Sequence, residues 1–165
     1  MNIRKKELKD CEIWVDINIK GWNDNLKGIV SDKLLKLISD NRDSRIEKDI
    51  TEFEVNDWNY VLEDGNKVIG ILKIKQSNRD GYEDCGEVQV LYLYTNEKGK
   101  GFGRALINKA FNVLKEKGYK KVVIGCLVGN PSNNFYKHIG GKYVRQEPLD
   151  ILGEHYIENV YEYEI

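Results

Sequence analysis

Between Glu87 and Val128 the chain passes from an apolar stretch, Glu87-Val-Gln-Val-Leu-Tyr-Leu-Tyr94, through Lys98-Gly-Lys-Gly-Phe-Gly103, to a second apolar stretch, Lys121-Val-Val-Ile-Gly-Cys-Leu-Val128. An apolar run that barely alternates reads as a strand covered on both faces. Between the two runs, Leu106, Ile107, Ala110, Phe111, Val113 and Leu114 recur at helical spacing. A helix over Arg104–Lys117 with one apolar side is expected, stopped by Gly118. Strand, glycine turn, helix and strand in that order anchor an α/β reading.

The flanks fill in the rest. Leu8–Leu26 reads as a helix ending near Gly28. Ser31 and Asp32 offer caps for a second helix with Leu34, Leu35, Leu37 and Ile38 on its apolar face, and Asp40–Ile50 suits a further short helix. From Trp58 the period changes: Asn59–Glu63 and Lys67–Lys75 read as strands joined by a tight turn at Asp64-Gly65-Asn66. Ser77–Gly86 is a polar loop. After Val128 come a short helix over Ser132–Ile139, closed by Gly140-Gly141, and two strands near Lys142–Arg145 and Tyr156–Ile165. With no repeat and no Pro/Ser linker, residues 1–165 are expected to be one mixed-sheet α/β domain.

Composition narrows the class. The 165 residues, 41% of them apolar, suffice for a substantial core, and a formal charge of -1 argues against a nucleic-acid-coating protein. No apolar run approaches the roughly 20 residues that cross a bilayer, and the basic start, MNIRKKELKDCEIWVD, has no apolar export core. Cys11, Cys85 and Cys126 are scattered, with no metal-binding spacing, so free thiols in a reducing cytoplasm and no metal are expected. A cytoplasmic enzyme or ligand-binding module fits best. The charge is uneven: eight basic residues and one acid lie between Lys98 and Lys121, whereas six acids and no Lys or Arg follow Gln146. Either these are solvated faces, or an anion is held near the glycine turn and a cation near the last strands.

The turn itself has physical content. Glycines let the backbone approach a ligand and aim consecutive N–H groups at it, and a helix start adds roughly half a positive charge. Lys98, Lys100 and Arg104 add cations, so a phosphate is favoured over a simple connector. The nucleotide motifs fail on spacing. No stretch reads GxxxxGK[ST], and in a G-x-G-x-x-G frame the third glycine slot is filled by Arg104 from Gly99 or by Leu106 from Gly101.

The segment Leu91-Tyr-Leu-Tyr-Thr-Asn-Glu-Lys-Gly-Lys-Gly-Phe-Gly-Arg-Ala-Leu-Ile107 resembles the acetyl-CoA signature of the GNAT superfamily of N-acetyltransferases, Arg/Gln-x-x-Gly-x-Gly/Ala after a strand. Lys98 stands in the Arg/Gln slot, a departure, and Gly101 and Gly103 fill the glycine slots. Gly129-Asn-Pro-Ser-Asn-Asn-Phe-Tyr-Lys-His-Ile-Gly-Gly-Lys142 is similar to the family's Asn-Pro-Ala-x-x-Phe-Tyr-x-x-x-Gly block, and Trp22 to Arg42 looks like its helical N-terminal region. The resemblance implies a splayed mixed (α+β) sheet of about seven strands flanked by helices, with acetyl-CoA as co-substrate.

The resemblance also implies roles. Backbone groups at Leu91, Tyr92 and Leu93 would pair with the pantetheine arm. The amides from Lys98 through Gly99, Lys100, Gly101, Phe102 and Gly103 to Arg104 would bind the pyrophosphate. Asn130, Ser132 and Asn133 would complete the cofactor contacts. Tyr136, also a cofactor contact, matches the general-acid position, and Glu87 stands where many relatives relay a proton through water. Against these stand plainer readings: Tyr136 as a structural aromatic, and Glu87 as a strand-end carboxylate facing solvent. Cys126 reads as core, His138 and His155 as surface residues, and Tyr156, Tyr161 and Tyr163 as strand formers. The acids after Gln146 and between Asp40 and Asp64 suit a cationic small-molecule or peptide amine as acceptor. Homodimers are common in this fold, but no residue fixes one. The alternative from another class is an acyl-CoA sensor or scaffold without catalysis.

Overall fold

The computed structural model describes residues 1–53 and 58–165. Glu54 and Asp57, part of the acid excess between Asp40 and Asp64, lie outside the described residues. Seven strands and five α-helices follow in chain order: β1 (Asn2–Lys5), α1 (Cys11–Leu26), α2 (Asp32–Asp40), α3 (Arg42–Thr51), β2 (Asn59–Asp64), β3 (Lys67–Gln76), β4 (Gly86–Leu93), α4 (Phe102–Glu116), β5 (Lys121–Leu127), α5 (Ser132–His138), β6 (Lys142–Ile151) and β7 (Glu154–Glu164). The sheet order is β1-β2-β3-β4-β5-β7-β6. It is mixed, as expected: β4 and β5 run parallel, while the β1–β2, β2–β3, β5–β7 and β6–β7 pairs are antiparallel.

The chain forms two compact units, Met1–Lys73 with Val90–Leu106, and Ile74–Gln89 with Ile107–Ile165. In the first, Trp14 and Ile17 of α1 pack with Val61 and Ile71 of β2 and β3, flanked by Ile13, Val68, Val90, Tyr92 and Tyr94. Helix α2 begins as its sequence indicates, with the Ser31 hydroxyl accepting from the Leu34 N–H at 3.0 Å. Asp64 pairs with Lys67, so Gly65 and Asn66 form the two-residue hairpin turn. In the second unit, Val122, Val123 and Ile124 are buried with Ile107, Ala110, Leu114 and Tyr161. Burying a side chain of this size contributes about 1.5–3 kcal/mol, which makes these positions the main stabilisers of each unit.

Three of the differences from expectation have a local reason. β1 was not expected: four residues with two charges carry no apolar period, and its place at the end of the strand order leaves it half solvated. β6 continues to Ile151 rather than ending at Arg145. Pro148 is tolerated there because β6 is the other end of the order, where a missing N–H need not break a ladder. α4 begins at Phe102, so Gly103 and Arg104 stand within its first turn.

Candidate active site

In the first unit, β4 delivers the chain to the glycine turn. Leu91 and Tyr92 are half-buried and Leu93 is buried. The Tyr94 N–H donates to the Ile69 carbonyl at 3.1 Å, and the Thr95 hydroxyl donates to Asp24 Oδ2 at 2.5 Å. Gly99 and Gly101 then adopt φ of 79° and 84°, left-handed backbone that disfavours any side chain. A Cβ built at either glycine would meet nothing within 4 Å. The turn therefore uses glycine for its backbone path, and it faces open space.

α4 follows at once, and its first N–H groups lack partners four residues back. The cations expected around the turn are not equally mobile. Lys98 Nζ donates to Asn25 Oδ1 at 2.5 Å and Lys100 Nζ to Glu97 Oε2 at 2.8 Å, whereas Arg104 is exposed and has no ion-pair partner among the described residues. The Lys98 bond ties the turn to the end of α1. A helix start, open space above two glycines and a guanidinium without an ion-pair partner among the described residues are features that favour an anion.

In the second unit, β5 ends at Leu127 and the chain turns into α5. The Asn130 side-chain oxygen accepts from the Ser132 N–H at 2.9 Å, an Asx turn that starts the helix. Its Nδ2 donates to no described residue. Asn133 is a hub. Its amide nitrogen donates to the Leu127 and Asn130 carbonyls, each at 2.8 Å, and its oxygen accepts from Asn159 Nδ2 at 3.0 Å and Tyr161 Oη at 2.7 Å. Two donors and two lone pairs are all engaged, so the Asn133 side chain has no hydrogen-bonding capacity left for a ligand. It braces the corner rather than contacting a cofactor through its amide.

Tyr136 is 7% exposed, packed 5.4 Å from the Phe135 ring and 6.2 Å from that of Tyr161. Its carbonyl accepts from the Gly141 N–H at 3.0 Å and from Tyr163 Oη at 2.8 Å, which fixes the backbone beneath its ring.

Glu87 does not face solvent. It is 5% exposed and lies in the parallel ladder, which pairs Gly86, Glu87 and Val88 with Val122, Val123 and Ile124. Arg79 Nη2 and Nε donate to its Oε1 at 3.0 and 3.2 Å, and Lys75 Nζ stands 3.5 Å from its Oε2. Arg79 Nη1 also donates to Glu147 Oε2 and Glu158 Oε1, each at 2.6 Å. Burial works against the Arg79 charge, but Glu158, Glu87 and Glu147 outweigh it and raise its proton affinity. Burial likewise pushes the Glu158 carboxyl up, with Arg79 pulling it back only in part. At Glu147 burial also raises, but hydrogen bonds from Arg145 and Arg79 win and hold it low.

Arg79, Glu147 and Glu158 were not legible as site residues. Arg79 stands in a polar loop, 68 and 79 positions from its two distant partners. One signal did exist: Gly125 inside an apolar strand. A Cβ there would lie 2.3 Å from both Arg79 Nη2 and Glu158 Oε2, so the ion pair crosses the strand where a side chain would otherwise project. Cys126, next to it, is buried, and burial with the nearby Glu158 charge pushes its thiol up to about 12, unsuited to act as a nucleophile. His155 is exposed and paired with Asp150, which raises its proton affinity. Among the described residues no three His, Cys, Asp or Glu side chains are grouped to hold a metal ion, and no helix is long and apolar enough to cross a membrane.

The sequence profile of the Acetyltransferase (GNAT) family matches residues 32–140, which take in Glu87, the glycine turn, Asn130 and Tyr136. The chain belongs to the GNAT acetyltransferase family. Within it, the uncharacterized N-acetyltransferase YuaI of Bacillus subtilis (strain 168) is 30% identical over 78 residues, 47% of this chain and 44% of that protein. The match thus spans less than half of the relative's length. Among solved structures, the PaiA N-acetyltransferase from Thermoplasma acidophilum in complex with coenzyme A is 21% identical, with a TM-score of 0.75 over 99% of this chain and 98% of the other. YncA from Salmonella typhimurium, described as a putative acetyltransferase with its cofactor acetyl-CoA, gives a TM-score of 0.67 at 19% identity over 99% and 92% of the two chains. The mixed seven-stranded sheet with five helices is the GNAT fold.

Proposed function

We propose that this protein binds acetyl-CoA and transfers its acetyl group to a primary amine of a small molecule or peptide, by direct attack in a ternary complex. The observation that carries this reading is the glycine turn: left-handed Gly99 and Gly101, open above both Cα atoms, leading straight into α4. The amides from Lys98 to Arg104 bind the pyrophosphate, with Arg104 supplying the free charge. Leu91, Tyr92 and Leu93 pair with the pantetheine arm through the backbone of β4. Asn130 Nδ2 donates to a pantetheine carbonyl, while its oxygen holds α5.

An alkylamine with a pKa near 10.4 is almost wholly protonated at neutral pH, and only its lone pair attacks. On this reading Glu87 takes that proton through a water. The nitrogen forms a bond to the thioester carbonyl carbon, as the carbon–sulfur bond breaks Tyr136 protonates the departing thiolate, and the resulting phenolate takes the second proton from the new amide nitrogen, which restores Tyr136. A phenol, pKa about 10, is still protonated at pH 7 and can do so. The thiolate's own charge would otherwise have to be carried away by solvent.

The test is to incubate the protein with acetyl-CoA and a panel of amines and to follow free thiol. Amine-dependent thiol release is expected; tight binding of acetyl-CoA with no release for any amine supports a sensor or scaffold instead. Tyr136→Phe should lower kcat about 100-fold, within the range for losing a general acid, while the Kd for acetyl-CoA changes less than about threefold. An unchanged kcat removes Tyr136 from the acid role.

A further inference from the structure

Arg79 is engaged on every side. One end of its guanidinium holds Glu87 Oε1 twice, and the other end holds Glu147 and Glu158. The bare Cα of Gly125 lets the Arg79–Glu158 pair pass over β5, where a Cβ would lie 2.3 Å from both side chains. The consequence falls on Glu87. Its Oε1 is saturated, whereas its Oε2 is buried and has no hydrogen-bond partner among the described residues. The carboxylate is thus held with one oxygen consumed by Arg79 and the other without a hydrogen bond among the described residues, 3.5 Å from the Lys75 ammonium. Two buried carboxylates and a half-buried third around one arginine are a costly way to fasten a loop, since apolar side chains of similar volume do so as well or better.

We propose that Arg79 is a positioning residue for acetyl transfer: it fixes the orientation of Glu87 so that Oε2 is the oxygen presented to the proton-relaying water. The inference rests on the relay role given to Glu87 above. Charged groups face this carboxylate from each neighbouring element: Lys75 from β3, Arg79 from the loop after it, Glu158 from β7, and Glu147 of β6 through Arg79. Arg145 offers the internal control. It ties the same loop to β6 by donating to Glu147 Oε1 at 2.8 Å and to the Asp80 carbonyl at 2.5 Å, yet no contact with Glu87 is among its bonds.

The experiment compares Arg79→Gln, Arg79→Lys, Arg145→Gln and Glu87→Gln, each checked for folding by thermal melting, in steady-state thiol-release assays from pH 5 to 9. Arg79→Gln is expected to lower kcat at least tenfold with both KM values within about threefold, the split expected when a group that acts in the chemical step loses its orientation while substrate binding is kept. Arg79→Lys should restore part of kcat; it also serves if Arg79→Gln does not fold. Arg145→Gln should stay within about twofold of the parent. The proposal is overturned if Arg79→Gln keeps the parental kcat, or if Arg145→Gln loses as much as Arg79→Gln, which would make the cluster a loop clamp. If Glu87→Gln is inactive while Arg79→Gln is normal, the relay stands and only the role of Arg79 falls. If Glu87→Gln is fully active, both fall.

Discussion

Arg4 in the first unit and Arg79 in the second each gather several carboxylates around one guanidinium. Arg4 donates to both oxygens of Asp10, at 2.6 and 2.9 Å, and through Nε to Glu63 at 2.9 Å; the Glu7 N–H closes the set by donating to Asp10 Oδ2 at 2.7 Å. Asp10 is buried, but both of its oxygens are satisfied. Burial pushes its carboxyl up, yet the bonds from Arg4 and Glu7 win, and the net displacement is downwards. The Arg79 group differs on both counts: Glu87 keeps an oxygen without a hydrogen bond, and Glu158 is displaced upwards. The Arg4 cluster is closed by hydrogen bonds at both oxygens of its buried carboxylate, whereas the Arg79 cluster leaves one buried oxygen with only the Lys75 ammonium 3.5 Å away.

The comparison can be broken from either side. The largest effect is expected for Arg4→Met, which strands Asp10 without its partner: about 3 kcal/mol of stability lost by urea unfolding, at the low end for breaking a buried pair, with kcat per folded molecule unchanged. A loss of activity as large as that of Arg79→Gln would erase the distinction between the two clusters. Gly125→Ala comes next. An added methyl must displace the Arg79–Glu158 pair, and about 1 kcal/mol of destabilisation is expected from overpacking, together with a fall in kcat that Arg4→Met does not show.

The third contrast lies in pH. Asp10 has a depressed proton affinity in the folded state, so its stabilisation is present above the ordinary carboxylate value and is lost as pH falls through the depressed one. Glu158 is raised, so its stabilising effect is present below the ordinary value of about 4.3 and is lost as pH climbs towards the raised one. The stability deficit of Asp10→Asn should therefore shrink on acidification from pH 5 to 2. Glu158→Gln should gain on the parent between pH 4 and 7. Parallel slopes in the two denaturation series would show that the clusters titrate alike. The smallest effect concerns Cys126: with its thiol pushed up to about 12, a native-state Ellman titration at pH 8 should leave it unlabelled, and rapid labelling would mean the wall beside Glu158 opens.

What could be read from the chain beforehand follows the range over which each signal acts. Helix α4, the hairpin at Gly65-Asn66 and the glycine turn are set by residues within a few positions of one another, and their patterns were visible. The three residues of the α5 corner nearest the chain turn, Asn130, Ser132 and Asn133, were visible as a motif, but not the division of labour by which Asn133 braces and Asn130 keeps donors free. β1 was illegible because four residues with an Arg and a Lys carry no period, and the second half of β6 because its Pro and acids imitate a loop. The Arg79 cluster was hidden for a different reason. It is assembled by pairing β7 with β5 and β6, and no local pattern in a polar loop announces which distant carboxylates will meet it.

Asn133 carries one more consequence. Because its amide is satisfied by Leu127, Asn130, Asn159 and Tyr161 alone, the bend between β5 and α5 takes its shape when the chain folds and owes nothing to a guest molecule. On the function proposed above, a pantetheine arm reaching Asn130 would meet a corner already braced, with the entropy of arranging it lost before the encounter.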